Sequence, residues 1–291
     1  MTYRATNVNR DCKNSLRQVI TCFAQGCGTY WNLTLPLREV KKLAENNQGR
    51  TLERALDVIE SVSASTDPLS LTQISKATGL HIATTRRILG TLERRDYLKQ
   101  APTGYTLGPQ VLPHAHAFLL QDRLALISPP ILRELTSITS LTSSVFVPSG
   151  DHRILISRVE APNALGYEFP IGQVLSLTLG GGKVLLAHKS PEDQERIIEE
   201  SASTTLADHK TQTPDTLRAD IEQILETGIF VSASERSQGT VSLTAPIRNG
   251  HDEVIASINI TGHDGLTNTE AILEFQSTVL QAARRIGAQM L

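Results

Sequence analysis

Two adjacent guanidinium groups, Arg86 and Arg87, follow the run His81-Ile82-Ala83-Thr84-Thr85. An arginine fork can grip a guanine edge bidentately, worth about 1–3 kcal/mol of base discrimination, and a threonine can touch a thymine methyl. Small side chains let a backbone come close. Such chemistry needs the run at the N-terminal end of an exposed helix that enters a duplex groove. Residues 81–99 hold Arg86, Arg87, Arg94, Arg95 and Lys99 against Glu93 and Asp96, a local charge of +3. Paired arginines also coat many solvated helices, so the surrounding elements must decide.

A second candidate is a polar strip near the C-terminus. Val254, Ala256, Ile258 and Ile260 alternate with Ser257, Asn259 and Thr261; Val241, Leu243, Ala245 and Ile247 alternate with Ser242 and Thr244. A turn at Asn249-Gly250-His251-Asp252 joins the two runs. With Arg248 opposite Glu253, Ser242 falls across from Asn259 and Thr244 across from Ser257, so the polar residues share one face. That face is small, neutral and hydrogen-bonding rather than rich in Lys and Glu, as suits a cup for a small polar ligand. An ordinary exposed sheet face has the same alternation.

Leu179-Gly180-Gly181-Gly182-Lys183 could offer backbone N–H groups to an anion at a helix start. It is not a P-loop: the glycine–lysine spacing fails, and Val184 stands where a hydroxyl is needed. A tight turn with close packing explains it equally well. His114 and His116, two apart on a helix, point to different sides, and no CxxC spacing occurs, so no metal site is expected. Neither a Gly-x-Ser-x-Gly elbow nor a carboxylate pair for acid–base work is present. No catalytic residue and no cofactor is expected.

The elements that must position these residues follow from periodicity. Leu52, Leu56, Ile59 and Val62 predict a first helix, broken at Ser65-Thr66-Asp67-Pro68. Ser70 with Gln73 reads as a capping box opening a short helix that ends at Gly79. A third helix spans about Ile82 to Arg94, with Thr85, Ile88, Leu89 and Leu92 inward. Tyr97-Leu98-Lys99 and Tyr105-Thr106-Leu107 flank a turn at Ala101–Gly104 as a hairpin. Three helices and a hairpin make a winged helix-turn-helix over 49–111. Arg86 and Arg87 then sit on its second helix, which favours base reading over mere solvation. The candidate DNA contacts are His81, Ile82, Ala83, Thr84, Thr85, Arg86 and Arg87, with Thr103 and Tyr105 of the hairpin.

Leu112, Ala115, Leu119, Leu120, Leu124 and Ile127 predict a linker helix over 112–128, ended by Pro129-Pro130. Residues 129–291 mix patterns. Ser144–Pro148 and Ile154–Val159 pair about Ser149-Gly150-Asp151. Gly180–Lys189, Pro191–Glu200, Pro214–Thr227 and 269–291 read as helices. Ile229–Ser232, Val241–Ile247 and Val254–Thr261 read as strands.

The chain has 291 residues, of which 40% are hydrophobic, enough for two domains. Its net charge of −2 hides an asymmetry: +5 over 1–50, +1 over 51–112 and −8 over 113–291. A polyanion would meet the N-terminal side. Cys12, Cys22, Cys27 and Trp31 all fall in the first 31 residues. This shift in composition sets residues 1–48 outside the expected core fold, either as an extension or as residues ahead of the true start. No apolar run approaches bilayer length, and Val19–Ala24 is a poor signal core, so a cytoplasmic chain with no membrane partner is expected.

The stretches Thr51–Leu56, Leu69-Ser70-Leu71, Thr78-Gly79-Leu80, Arg87–Glu93 and Gly104–Gly108 resemble the DNA-binding domain of the IclR family of bacterial regulators. Arg158-Val159-Glu160, Gly182–Ala187, Gly239 through Pro246 and Ser257–Gly262 resemble its effector domain. The likeness covers about residues 50–290. It implies an α/β two-domain chain: a winged helix-turn-helix, a linker helix and an α+β effector domain related to GAF and PAS folds. It also implies homodimers or homotetramers, operator DNA as partner, and small organic or aromatic acids as effectors. Carried over by position, effector contacts fall at Gly180, Gly181, Ser232, Ser242, Asn259 and Thr261. Ser242 stands where cysteine is common, Ser232 where some members have aspartate, and Asn259 where serine or threonine is usual. The segment before Gly182 is one residue shorter and lacks a frequent histidine. The expected function is a transcription regulator whose operator binding a small acid modulates. A constitutive DNA-binding protein with a purely structural C-terminal domain, and an enzyme with an accessory helix-turn-helix, are the alternatives.

Overall fold

The computed structural model describes residues 37–162 and 170–290, with side chains from residue 49 on. Cys12, Cys22, Cys27 and Trp31 lie outside the described residues. The chain divides into two compact units, Met1–Leu112 and Pro113–Leu291.

In the first unit, helix α1 spans Leu37–Ser63, α2 Leu71–Thr78 and α3 Ile82–Arg94. The stretch from Leu37 to Gln48 contains neither Gly nor Pro, so α1 reaches back into residues expected to lie outside the core. Its buried face also differs from expectation. Val58 and Val62 are buried with Ala55 and Ile59 packed beside them, while Leu52 is 64% and Leu56 49% exposed. Val58 lies between the two expected turns and closes on Ile74, Ile88, Leu89, Leu92 and Leu98. Ser70 and Gln73 make the reciprocal cap of α2: the Gln73 N–H donates to Ser70 Oγ at 3.3 Å, and the Ser70 N–H to Gln73 Oε1 at 2.9 Å.

Strands β1 (Leu98–Ala101) and β2 (Gly104–Leu107) pair with Ala101 opposite Gly104, leaving Pro102-Thr103 as the turn. Leu69 and Tyr105 exchange main-chain bonds at 2.8 and 3.0 Å, which docks the hairpin on the loop before α2. A Cβ on Gly104 would run into the Leu69 carbonyl, so only glycine lets the two chains meet there.

The expected single linker helix is two helices. Helix α4 runs Val111–Gln121; Asp122 then leaves helical geometry and caps α5, Arg123–Thr139, its carboxylate accepting from the Ala125 N–H at 2.8 Å. The break is therefore at an Asp N-cap and not at the prolines. Pro129-Pro130 lie inside α5. Two proline nitrogens cannot donate, yet the apolar face of Leu124, Ile131, Leu132 and Leu135 is buried in the main core and holds the helix through them.

Strands β3 (Thr142–Ser149), β4 (His152–Val159), β5 (Val174–Ser176), β8 (Phe230–Ala233), β9 (Thr240–Arg248) and β10 (Val254–His263) form an antiparallel sheet in the order β5-β4-β3-β10-β9-β8. One face packs on α5, α9 (Thr269–Leu273) and α10 (Gln276–Gly287). The other meets α6 (Gly182–Leu186), which packs with α7 (Pro191–Glu200) and α8 (Pro214–Thr227) into a second core. Short strands β6 (Thr204–Thr205) and β7 (Thr211–Gln212) pair between α7 and α8. The fold is thus a helix-turn-helix unit followed by an α+β unit.

The β9–β10 register differs from the expected one by two positions. Val254, not Glu253, pairs with Arg248, and an irregularity between Val254 and Ala256 adds a further step, so Thr261 faces Ser242 and Asn259 faces Thr244. A shift of two preserves which face each side chain occupies. The polar strip therefore stays one face although every expected pair in it is wrong.

Candidate functional site

On α3 the inward stripe is Thr85, Ile88, Leu89 and Leu92. Helical periodicity puts Ala83, Arg87, Gly90 and Arg94 on the opposite face, with Arg86 beside them. His81 caps the helix, its Nδ1 accepting from the Ala83 N–H at 3.4 Å. His81, Ile82, Ala83, Arg86 and Arg87 are exposed and Thr84 is half-buried, so a basic surface of small footprint ends the helix. Thr85 does not belong to it: the residue is fully buried, and its hydroxyl donates to the His81 carbonyl at 3.3 Å. Tyr105 is also not at the hairpin tip; it packs on the helical core, and its backbone is engaged by Leu69. Thr103, in the turn, is exposed. Gly90 and Arg94 share the outward face and were not among the expected contacts; their spacing of four and seven from Arg86 and Arg87 was the available signal.

In the second unit the polar face of the sheet floors a cavity of about 900 Å³, its open mouth included. Gly180, Gly181, Ser232, Ser242, Asn259 and Thr261 all line it. Ser232 and Ser242, opposite one another in β8 and β9, are bonded hydroxyl to hydroxyl at 2.8 Å. The Asn259 amide nitrogen donates to Thr261 Oγ1 at 3.3 Å. Gly180 and Gly181 do not present a simple anion nest. The Gly180 N–H donates to Glu235 Oε2 at 2.8 Å, and a Cβ on Gly181 would collide with Thr244 Oγ1 and come within 3.0 Å of Arg153 Nη1. Close packing explains the glycine run.

The strip is small and polar as expected, but the cavity is not neutral. Arg153 and Arg158 on β4 and Arg236 after β8 also line it, with Glu235. Arg153 is 3% exposed. Its guanidinium lies 4.5 Å from the Phe146 ring centroid, and Nη2 donates to the Leu179 carbonyl at 3.4 Å. Nε and Nη1 are buried without a partner. Burial draws its pKa down from the usual guanidinium range to about 9; neighbouring Arg236 acts in the same direction, and Glu235 opposes. At neutral pH Arg153 is still a cation, held in a wall lined by Leu141, Phe146, Leu175 and Leu266. Arg153 stands ahead of the apolar run Ile154-Leu155-Ile156 and outside the strand expected at Ile154–Val159, so no sequence signal singled it out.

Glu235 is turned mainly toward Lys183. This lysine is 1% exposed, with its Nζ at 2.8 Å from Glu235 and 2.7 Å from Asp220, and 4.9 Å from the Phe230 ring centroid. The pairing removes Glu235 as a full counterion for Arg153. Among the described residues, no group of three or more His, Cys, Asp or Glu is placed to hold a metal. No described helix is long and apolar enough to cross a membrane.

A winged helix-turn-helix joined to an α+β unit with an arginine-lined cavity is the architecture of a two-domain transcription regulator. The family model "Bacterial transcriptional regulator IclR C-terminal" matches residues 116–288, and "IclR helix-turn-helix domain" matches residues 51–102. The chain belongs to the IclR family of transcription regulators, and its helix-turn-helix domain implies DNA binding. It is 29% identical over 251 residues to the HTH-type transcriptional regulator BhcR of Paracoccus denitrificans, covering 85% of this chain and 90% of that one. It is 27% identical over 244 residues to the transcriptional repressor IclR of Escherichia coli, covering 82% and 89%. An IclR regulator from Alicyclobacillus acidocaldarius has the same fold, with a TM-score of 0.70 at 20% identity over 82% of this chain and 98% of that one. So does an IclR homolog from Microbacterium hydrocarbonoxydans solved with 4-hydroxybenzoate, with a TM-score of 0.65 at 17% identity over 82% and 98%.

Proposed function

We propose that this regulator binds an operator through the N-terminal end of α3 and the β1–β2 turn, with an affinity set by a small organic acid held in the C-terminal cavity. Arg86, Arg87 and Arg94 would meet bases and phosphates, and Thr103 the neighbouring backbone. Arg153 carries the effector half of the reading. A buried cation with unfilled donors on a cavity wall is poised for a carboxylate, because the cost of removing it from water has already been met in the fold. The acid bound by the Microbacterium homolog agrees with this in class. Exposed Leu52 and Leu56 on α1 and Leu112, Phe118 and Leu120 on α4 support self-association as a dimer or tetramer. The segment Val111–Gln121 joins the two units and is where a signal would pass.

The test uses the full chain. A duplex selected from a random pool should bind roughly a thousandfold or more tighter than bulk DNA at fixed salt. Organic acids are then screened for a rise in melting temperature. An acid that raises it should change affinity for the selected duplex by about fivefold or more. Sedimentation of the same samples reads the oligomer. A stabilising acid that leaves DNA affinity untouched would make the chain a constitutive binder.

A further inference from the structure

We infer that helix α4 joins two copies of this chain across a seam centred on His116, so that low pH separates the copies. This rests on the self-association reading above and adds the proton to it as a regulator. Between Lys99 and Asp122 the sequence holds no Lys, Arg, Asp or Glu. Helix α4 lies in that stretch and has no buried residue. His116 is exposed, and its neighbours three and four positions away on the helix are Leu112, Pro113, Leu119 and Leu120. Leu112 is 67% and Leu120 58% exposed. One titratable group therefore stands at the centre of an apolar patch that a single chain leaves open to water.

The lack of charge names the occupant. Without a Lys or Arg, α4 has nothing to hold a phosphate, so DNA is not what covers it. Two-fold pairing lays a surface on its own copy, which a charged face resists and a neutral apolar face favours. The same symmetry brings both His116 rings into one seam. Neutral, each is a polar tip between leucines. Protonated, they are like charges drawn out of water with no carboxylate to meet them. Nothing nearby offsets that cost. His114, two positions along, points to another side. Leu119 packs on the main core through apolar residues. Asp122 and Arg123 follow the helix, and the Asp122 carboxylate is engaged by the Ala125 N–H at 2.8 Å. The second copy of α4 brings the same residues. Histidine is the side chain that ordinarily changes charge between pH 5 and 8. Assembly therefore weakens as pH falls through that range, with two protons taken up for each pair that separates.

The experiment is analytical sedimentation of the full chain, fluorophore-labelled so that it can be followed to nanomolar concentration, at about pH 7.5 and about pH 5.5. The dissociation constant should rise by about tenfold or more at the lower pH, since two such groups linked to one equilibrium can move it by up to about a hundredfold. His116→Leu should hold the change below about twofold and tighten assembly at the lower pH. His116→Lys, charged at both values, should weaken assembly at the higher one. His114→Gln should leave the pH response in place, and Leu120→Glu should separate the copies at the higher pH. Circular dichroism confirms that each form is folded at both values; where His116→Leu is not, His116→Gln replaces it. Dissociation constants within twofold at the two pH values, undissociated assembly at both included, would overturn the inference and leave self-association standing. So would a pH response that survives His116→Leu, one that His114→Gln removes, or assembly that His116→Lys or Leu120→Glu leaves intact. A chain that stays monomeric at the higher pH, at the highest concentration it tolerates, would remove both readings.

Discussion

Arg87 and Arg153 are the same side chain in opposite settings. Arg87 stands exposed on the outward face of α3, where folding asks nothing of its charge. Arg153 is enclosed against Phe146 with two donors unfilled. The first can be removed with little cost to the fold; the second is part of a packed wall whose charge was taken out of water during folding. Lys183 sharpens the contrast. It is as deeply buried as Arg153, but Asp220 and Glu235 both reach it, so its charge is spent within the protein. A buried cation with its carboxylates in place is a structural ion pair, and one without them keeps donors unfilled.

The largest effect is therefore expected at Lys183. Lys183→Ala leaves two carboxylates facing each other beside Phe230 with no cation between them. Breaking a buried pair from one side costs about 3–5 kcal/mol. Denaturant unfolding, followed through the C-terminal transition, should show a loss in that range. A change below about 1 kcal/mol would mean that the carboxylates reach water easily, and the distinction between Lys183 and Arg153 would dissolve.

Arg87→Ala should behave in the reverse way. Stability should stay within about 0.5 kcal/mol, as at an exposed position outside any special feature. Affinity for the selected duplex should fall by about 1–3 kcal/mol if the fork reads a guanine. Anisotropy titration at fixed salt measures the second quantity, and thermal unfolding the first. Equal loss of stability in Arg87→Ala and Lys183→Ala would erase the comparison.

What could be read beforehand follows the same division. The helix-turn-helix was legible because its signals are local: a capping box at Ser70, apolar spacing on α3, and a hairpin around Pro102-Thr103. The six cavity residues were legible in part from strand alternation, which survives a register error of two because side chains repeat every second residue. The β9–β10 irregularity at Val254/Ala256 was not legible, since nothing in local composition marks it. Nor was the boundary of α5. Pro129-Pro130 look like a stop to local propensity, and the burial of Ile131, Leu132 and Leu135 overrides them. Arg153 was missed because its meaning lies in what does not reach it, and absent partners are a property of tertiary packing. Thr85 shows the converse: one residue type suits both a DNA contact and a helix core, and the burial of its face settles which.

The smallest expected effect concerns a neutral group on the same unit. His188 is held between two partners, Nδ1 2.8 Å from the Val184 carbonyl and Nε2 2.9 Å from Arg248 Nη2. The arginine can only donate, so Nε2 accepts and Nδ1 carries the proton given to Val184. Burial, the largest cause, lowers the pKa below its usual 6.5; Arg248 acts in the same direction, and the Val184 bond and Asp252 oppose. The folded state thus binds this proton less readily than the unfolded chain. Its contribution to stability is complete above about pH 6.5 and is lost as pH falls through that value toward the folded pKa. The carboxylates of Glu134, Asp151, Asp193 and Glu195, each held low by an arginine or serine bond, lose their contributions only at more acidic pH, so the two windows separate. Stability measured from about pH 7 down to about pH 5 should decline less steeply in His188→Gln than in the unmodified chain. An identical slope would show that the imidazole titrates as it does in water and that its contact with Arg248 is loose in solution.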